Sequence, residues 1–413
     1  MKNIVFIFLV IGQFCNAQPL NNLSDCAVLS GENYLENGFI ENIAEYIKDK
    51  EIVAMGEAAH GAGEFFKMKA DVFKYLAKNE NFRVFAIEST LSTTYDLNKY
   101  LLYGEGDAKQ SLKRLDNFYW NTAEVLDLVD WMYGYNKSKP AGEKLWFYGM
   151  DINSSYESVK AISAYIKKVE PDVETKVAKY GDRMGRVLLS DKKDNKKRAL
   201  EIEKIYAENE RDYIAKSSEW EYQFIKQCFV NLKQTKLPYK YRDQYMADNV
   251  GWLKNISGSK IFVWAHNYHV AKSQQTMGYF LNKKYGDGYY CIGFDFKEGE
   301  VWAKKGGNVF SVILHGNKNV RCTTSPPKEK TFTYKLAALN KPFVFFDVNN
   351  CSEKNKNLKK ELSTVQKMHD AGAWFSEKSE YIDRVISRSF DGVLYIEKVS
   401  PSNHFYLKEK YEY

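Results

Sequence analysis

The chain has 413 residues, 44% of them hydrophobic and 27% charged, which is enough to bury a sizeable core, and no Pro- or Gly-rich linker cuts it into pieces. Its formal charge of +7 is spread through Lys-rich stretches and not gathered into one stripe, which argues against nucleic acid as the main partner. The 30 Tyr and 25 Phe suit either a large apolar substrate or an aromatic-rich core.

At the N-terminus a short basic region around Lys2 precedes an apolar run, residues 4–11, too short to span a bilayer, and Cys15-Asn16-Ala17 offers a cleavage point. Residues 1–17 therefore read as a secretory signal peptide, and the protein is expected to be exported, periplasmic or secreted. A lipoprotein would use Cys15, but Gln13-Phe14 ahead of it is not the small-residue pattern that lipidation prefers. No later stretch is apolar enough for a transmembrane helix, so no stable membrane association is expected. The remaining cysteines, Cys26, Cys228, Cys291, Cys322 and Cys351, are odd in number and form no CxxC pair. They read as neither a zinc-thiolate site nor a required disulfide framework, although an exported chain can oxidise two pairs.

Short runs rich in Val, Ile, Phe and Tyr predict strands at 52–55, 84–87, 145–148, 261–265, 290–294, 343–346 and 393–396. Helical patterns such as 64–78 and 92–102 lie between the early ones. This alternation predicts an α/β fold with a mainly parallel sheet flanked by helices, in one domain over residues 18–413. From about 159 to 237, apolar residues at helical spacing among Lys, Glu and Ala predict a long helical insertion walling one side of the sheet.

Several of these strands finish on ionisable residues. The run 52–55 leads into Gly56-Glu57-Ala58-Ala59-His60-Gly61, 84–87 into Glu88, 145–148 through Gly149-Met150 into Asp151, and 261–265 into His266-Asn267-Tyr268-His269. In a parallel sheet the C-terminal ends share one edge, so these groups converge on one cleft despite their separation in sequence. Asp295, after 290–294, is a candidate fifth. Bland readings stand beside these: Asp151 as a helix N-cap, His269 as an orienter of His266 or the start of a helix, and His315, His369 and His404 as surface or structural residues.

Two chemistries fit the group. His60 can take a proton from water while a carboxylate fixes its tautomer, or Glu57, His60, His266 and His269 can hold a divalent metal that ionises the water. There is no Gly-x-Ser-x-Gly elbow, no Cys beside a His in a strand-end turn, no P-loop and no Rossmann glycine fingerprint.

These blocks resemble the erythromycin esterase family. The likeness is carried by Gly56-Glu57-Ala58-Ala59-His60 with Glu64-Phe65, then Phe85-Ala86-Ile87-Glu88, Tyr148-Gly149-Met150-Asp151, Arg242-Asp243-Gln244-Tyr245-Met246-Ala247 and Ala265-His266-Asn267-Tyr268-His269, in that order. The resemblance implies metal-independent hydrolysis of a macrolide lactone without a cofactor. It implies His60 as general base, with Glu57, Glu88 and His266 around the water and the carbonyl. It also implies a functional arginine nine residues after the base, where this chain has Lys69, which keeps the charge and loses the bidentate fork. A macrolide bearing an amino sugar would call on negative charge and aromatic lining. Glu64, Asp151 and His269 are candidate substrate-binding residues, Tyr95, Phe118, Tyr119 and Trp120 candidate lining, and the insertion a candidate lid. The alternatives are a metal-dependent hydrolase of another ester or peptide, and a non-catalytic protein binding haem or another large ligand.

Overall fold

The computed structural model describes residues 23–115, 118–171, 193–305, 319–376 and 380–405. The signal segment 1–17 and His315 lie outside the described residues, as does 172–192 within the insertion. Among the described residues no helix is long and apolar enough to cross a membrane.

Twelve strands are present among the described residues: β1 Val28–Ser30, β2 Ile52–Met55, β3 Phe82–Thr90, β4 Trp146–Asp151, β5 Lys260–Trp264, β6 Tyr289–Lys305, β7 Asn319–Thr323, β8 Phe343–Asp347, β9 Val365–His369, β10 Trp374–Phe375, β11 Tyr381–Val385 and β12 Gly392–Val399. The main sheet runs β1-β8-β12-β6-β2-β5-β3-β4, with β7 and β10 added to β6, while β9 and β11 form a separate pair. From β12 to β4 every neighbour is parallel, and antiparallel pairing of β8 and β1 closes the far edge. All seven strands expected from the sequence are there, and the sheet is mainly parallel as expected.

Side chains alternate between the two faces along each central strand, and both faces are buried, so these strands read as nearly unbroken apolar runs. Ile52, Ala54, Val84, Ala86, Ile261 and Val263 belong to one core. Val53, Met55, Phe85, Ile87, Phe262 and Trp264 belong to the other. Helices Gly63–Asn79 and Ala123–Lys137 cover the second face, the latter capped by the Thr122 side chain on Val125 N. The first face is covered by helices Ser155–Val169, Lys193–Glu208, Glu219–Gln234 and Arg242–Ser257. Trp220 of the insertion donates to Tyr148 Oη and stacks on Tyr95 at 5.7 Å.

Three features place the site. Because β2, β5, β3 and β4 are consecutive neighbours, the residues at their C-terminal ends follow one another along one sheet edge. Strand β6 does not stop at Asp295 but continues to Lys305, so its far half curls over the turn that follows β2, where Trp302 N donates to Gly61 O. The link between β9 and β10 crosses the same turn, with Ala371 N and Gly372 N both donating to Ala58 O at 2.7 and 3.2 Å. Such close approach explains the two glycines: a Cβ at Gly56 would lie 2.2 Å from Asn267 Oδ1, and one at Gly61 would lie 2.4 Å from Trp302 O.

Cys26 and Cys351 form a disulfide with a Cα–Cα distance of 5.4 Å, joining the segment before β1 to the helix Val348–Lys354 that follows β8. Cys228, Cys291 and Cys322 are buried.

Candidate active site

The turn after β2 carries the first group. Glu57 is fully buried, and its two oxygens serve three donors: His60 Nδ1 on Oε1 at 2.6 Å, and Lys69 Nζ and Trp264 Nε1 on Oε2 at 2.5 and 2.7 Å. Burial favours the neutral acid, but Lys69 and His60 outweigh it and hold the carboxyl below its ordinary range. An anionic Glu57 accepts from Nδ1, so the proton of neutral His60 sits there and Nε2 keeps a lone pair. No hydrogen-bond partner meets that Nε2 among the described residues. The ring lies 5.3 Å from Tyr119 in a stack and 5.0 Å from His266.

Lys69 comes from the second turn of helix Gly63–Asn79 and is fully enclosed, its ammonium 4.1 Å from the Trp264 ring centroid. Burial lowers it to about 8 against the pull of Glu57. So enclosed, Lys69 meets no substrate and acts only through Glu57.

The second group joins the ends of β3 and β4 to helix Arg242–Ser257. Arg242 donates to Asp151 Oδ2 at 2.5 Å through Nη2, to Asp151 Oδ1 at 3.0 Å through Nε, and to Glu88 Oε1 at 3.1 Å. His269 places Nδ1 2.8 Å from Asp243 Oδ2 and Nε2 3.2 Å from Glu88 Oε1. Burial opposes its charge, yet Glu88 and Asp243 raise it to about 10, and its Nδ1–H donates to Asp243. Arg242 Nη1 also approaches His269 Nε2 at 3.2 Å, beside the Glu88 carboxylate that both residues face. Burial likewise opposes the charge of Glu88, but His269 and Arg242 hold that carboxyl well below its ordinary range.

His266 connects the two groups. Its backbone N–H donates to Glu88 Oε2 at 2.9 Å, and its Nδ1 accepts from Tyr268 N, so the side chain caps helix Asn267–Val270. Its Nε2 lies 2.8 Å from Asp370 Oδ1.

Glu57, His60, Glu88, His266 and His269 thus converge, with Lys69 and Asp151 buried beneath them. Asp151 does not cap the next helix; Ser154 does, leaving both Asp151 oxygens to Arg242, Ile152 N and Asn153 Nδ2. Glu64 is not brought to the cleft: both its oxygens bind Ser400, through Oγ and N. Asp295 is not a strand-end group but lies within β6, accepting from Thr333 Oγ1, and burial pushes its carboxyl well above the ordinary range. Tyr95 does not line the cleft either; it packs under the insertion on Trp220 and Phe224 and donates to Glu221. Tyr119 and Trp120 do flank His60, whereas Phe118 stacks on His404 at 3.7 Å. His369 is structural, with Nδ1 on Phe296 O and its ring between Phe296 and Tyr381.

The sequence reading assigned no role to Arg242, Asp243, Trp264, Asp370 or Arg384. For Asp370 one signal was present: the short run 365–369 is followed by an acid, as the run 84–87 is followed by Glu88. Among the described residues no group of three or more His, Cys, Asp or Glu is arranged to hold a metal ion.

Comparison with known proteins agrees with this architecture. The chain is 25% identical to a putative hydrolase of Bacillus subtilis, over 87% of this chain and 86% of that one. It is 23% identical to erythromycin esterase type II of Escherichia coli, over 88% and 93%. A crystal structure of a Bacillus cereus protein superimposes with a TM-score of 0.75 at 26% identity, covering 93% of this chain and 98% of that one. An erythromycin esterase mutant in its open conformation shares the fold at a TM-score of 0.58 and 16% identity, over 90% and 95%. The model of the family described as erythromycin esterase matches residues 77–399, most of the chain. The chain belongs to the erythromycin esterase family.

Proposed function

We propose that this protein is an ester hydrolase that opens the lactone of a macrolide antibiotic with a water activated by His60, and so inactivates the drug. The observation that carries the reading is the 2.6 Å contact between Glu57 Oε1 and His60 Nδ1, which commits the proton to Nδ1 and turns a basic Nε2 to the cleft. The family membership and the names of the two relatives, a hydrolase and an erythromycin esterase, support the same class of reaction.

In this mechanism Nε2 takes a proton from water as the water oxygen bonds to the carbonyl carbon. The C=O electrons move to oxygen, where a hydrogen-bond donor of the site receives the charge. As the C–O bond to the ring alkoxide breaks, the proton on Nε2 passes to that alkoxide, leaving a hydroxy acid heavier by one water. No covalent enzyme intermediate is involved. A protein cation already stands beside the carboxylates, Lys69 at Glu57 and Arg242 at Glu88 and Asp151, which supports a reaction without a divalent metal over the metal-dependent alternative.

The test is mass spectrometry of a panel of 14- and 16-membered macrolides incubated with the purified protein, with and without chelator. Gain of one water, unaffected by chelator, is expected, and His60→Ala should reduce it by roughly three orders of magnitude or more with the fold intact. No turnover on any member overturns the substrate, and loss with chelator overturns the metal-free route.

The proposal extends to an exported protein. The Cys26–Cys351 disulfide suits an oxidising compartment. N-terminal sequencing of the native protein should start at Gln18, and a reduced cytoplasmic form retaining Met1 would count against export.

A further inference from the structure

We infer that Asp370, clamped by Arg384, is the positioning residue for His266, keeping its proton on Nε2 so that this N–H can meet the substrate carbonyl oxygen. The inference rests on the hydrolase reading for the substrate step, but its geometry stands without it.

A neutral histidine has one ring proton to place, and the structure leaves one site for it. Nδ1 of His266 accepts from Tyr268 N at 3.2 Å, so the proton belongs to Nε2. Asp370 Oδ1 lies 2.8 Å from that nitrogen, close enough to hold the charge of a protonated ring. Yet both atoms are buried and neither completes a hydrogen bond of acceptable direction. The distance and the direction disagree, and each carries information. The carboxylate stands beside the N–H and not in front of it, which leaves the donor direction for another acceptor. Gly372 flanks the same nitrogen: a Cβ built there would be in van der Waals contact with Nε2 at 3.6 Å, so the glycine leaves that side of the ring uncovered. His60, the proposed base, has its ring centroid 5.0 Å away, a separation that lets a water on one ring face a carbonyl oxygen on the other.

Asp370 is itself held through its other oxygen and its backbone. It is 3% exposed, its Oδ2 accepts from Arg384 Nη2 at 2.6 Å, and its N–H donates to Glu380 O. Burial would push its carboxyl up, but His266 and Arg384 hold it at about 2, so it stays ionised. The next two backbone N–H groups donate to Ala58 O, tying the segment that carries Asp370 to the turn that carries Glu57 and His60. The charged groups facing His266 are therefore Asp370 from the β9–β10 link, with Arg384 behind it on β11, and Glu88 from β3 on its backbone N–H. A purely structural account would make Asp370–Arg384 only an ion pair that fastens β9 and β11 to the sheet.

The test uses the mature full-length chain with Asp370→Asn, checked for folding by thermal unfolding. Nitrogen-15 NMR of the histidine rings, assigned with His266→Gln, reads the tautomer directly. The wild type should show Nε2–H, and Asp370→Asn should mix the tautomers. On erythromycin kcat should fall about 10–100-fold with KM changed less than about threefold, the pattern of a group that matters in the transition state. If Asp370→Asn does not fold, Asp370→Asn/Arg384→Met removes both charges together and should give the same two readouts. An unchanged tautomer in a folded variant overturns the inference. If the wild type hydrolyses no macrolide, the function proposal fails while the ring spectra still decide the role of Asp370.

Discussion

Around Glu57 a single lysine supplies the countercharge, whereas around Glu88 and Asp151 an arginine and a doubly paired histidine supply it, and pH can act only on the first arrangement near neutrality. Lys69 is lowered to about 8 by burial. His269 is raised to about 10, and Arg242 stands well above its already high ordinary value through Asp151 and Glu88, against burial. One half of the cleft floor is thus locked in charge, and the other, which holds the proposed base, keeps a cation that can be lost. An arginine at Lys69, as the family resemblance implies, would lock both halves.

The largest effect expected from disturbing this contrast comes from the locked half. Arg242→Met leaves Glu88 and Asp151 buried without their cation and should cost about 3–5 kcal/mol. Urea unfolding measures it; a loss under about 1 kcal/mol would show that the arginine is not what neutralises them.

Lys69 gives an intermediate effect and the sharper test. As pH rises through about 8 the ammonium is lost, an uncompensated negative charge stays beside the reaction, and kcat should fall about tenfold. Lys69→Arg should remove that alkaline limb, and persistence of the limb in the variant would assign it elsewhere. The effect on stability has the opposite sign. The folded pKa of Lys69 is depressed, so between about 8 and its ordinary 10.5 the unfolded chain binds more protons, and this group adds stability as pH rises across that window. For His269 the folded pKa is raised, so its contribution is complete below its ordinary 6.5 and is lost as pH rises through about 10. Comparing wild type with Lys69→Met and with His269→Gln at pH 7 and pH 9.5 should therefore give stability differences that move in opposite directions.

The smallest effect belongs to the carboxylate outside both groups. Glu64→Ala should cost about 1 kcal/mol through the lost bonds to Ser400 and leave kcat on a macrolide unchanged. A large fall in kcat would return Glu64 to substrate binding.

Much of the fold was legible because its signals are local. Apolar runs such as Ile52–Met55 and Phe343–Asp347 are buried on both faces, and that leaves a mark in composition alone. The disulfide was not legible, since Cys26 and Cys351 are 325 residues apart and meet only because β1 pairs with β8. Asp295 was misplaced for a related reason: a strand that outruns its neighbours, as β6 does, shows no break in pattern where they end. Glu64 and Tyr95 lie close in sequence to cleft residues, and proximity along the chain does not say which way a helical side chain turns.

By itself the sequence determined that Glu57, His60, Glu88, Asp151 and His266 stand at the ends of strands, because a buried strand and the turn after it are written in consecutive residues. Parallel pairing then made one shared edge the simplest arrangement. Only the tertiary structure decided which of these charges neutralise one another: Arg242 reaches Asp151 across 91 residues and Glu88 across 154, and Asp370 reaches His266 from beyond the main run of strands. Ion pairing depends on distances of a few ångström between remote segments, and those are fixed by strand order and register, which no local stretch of sequence specifies.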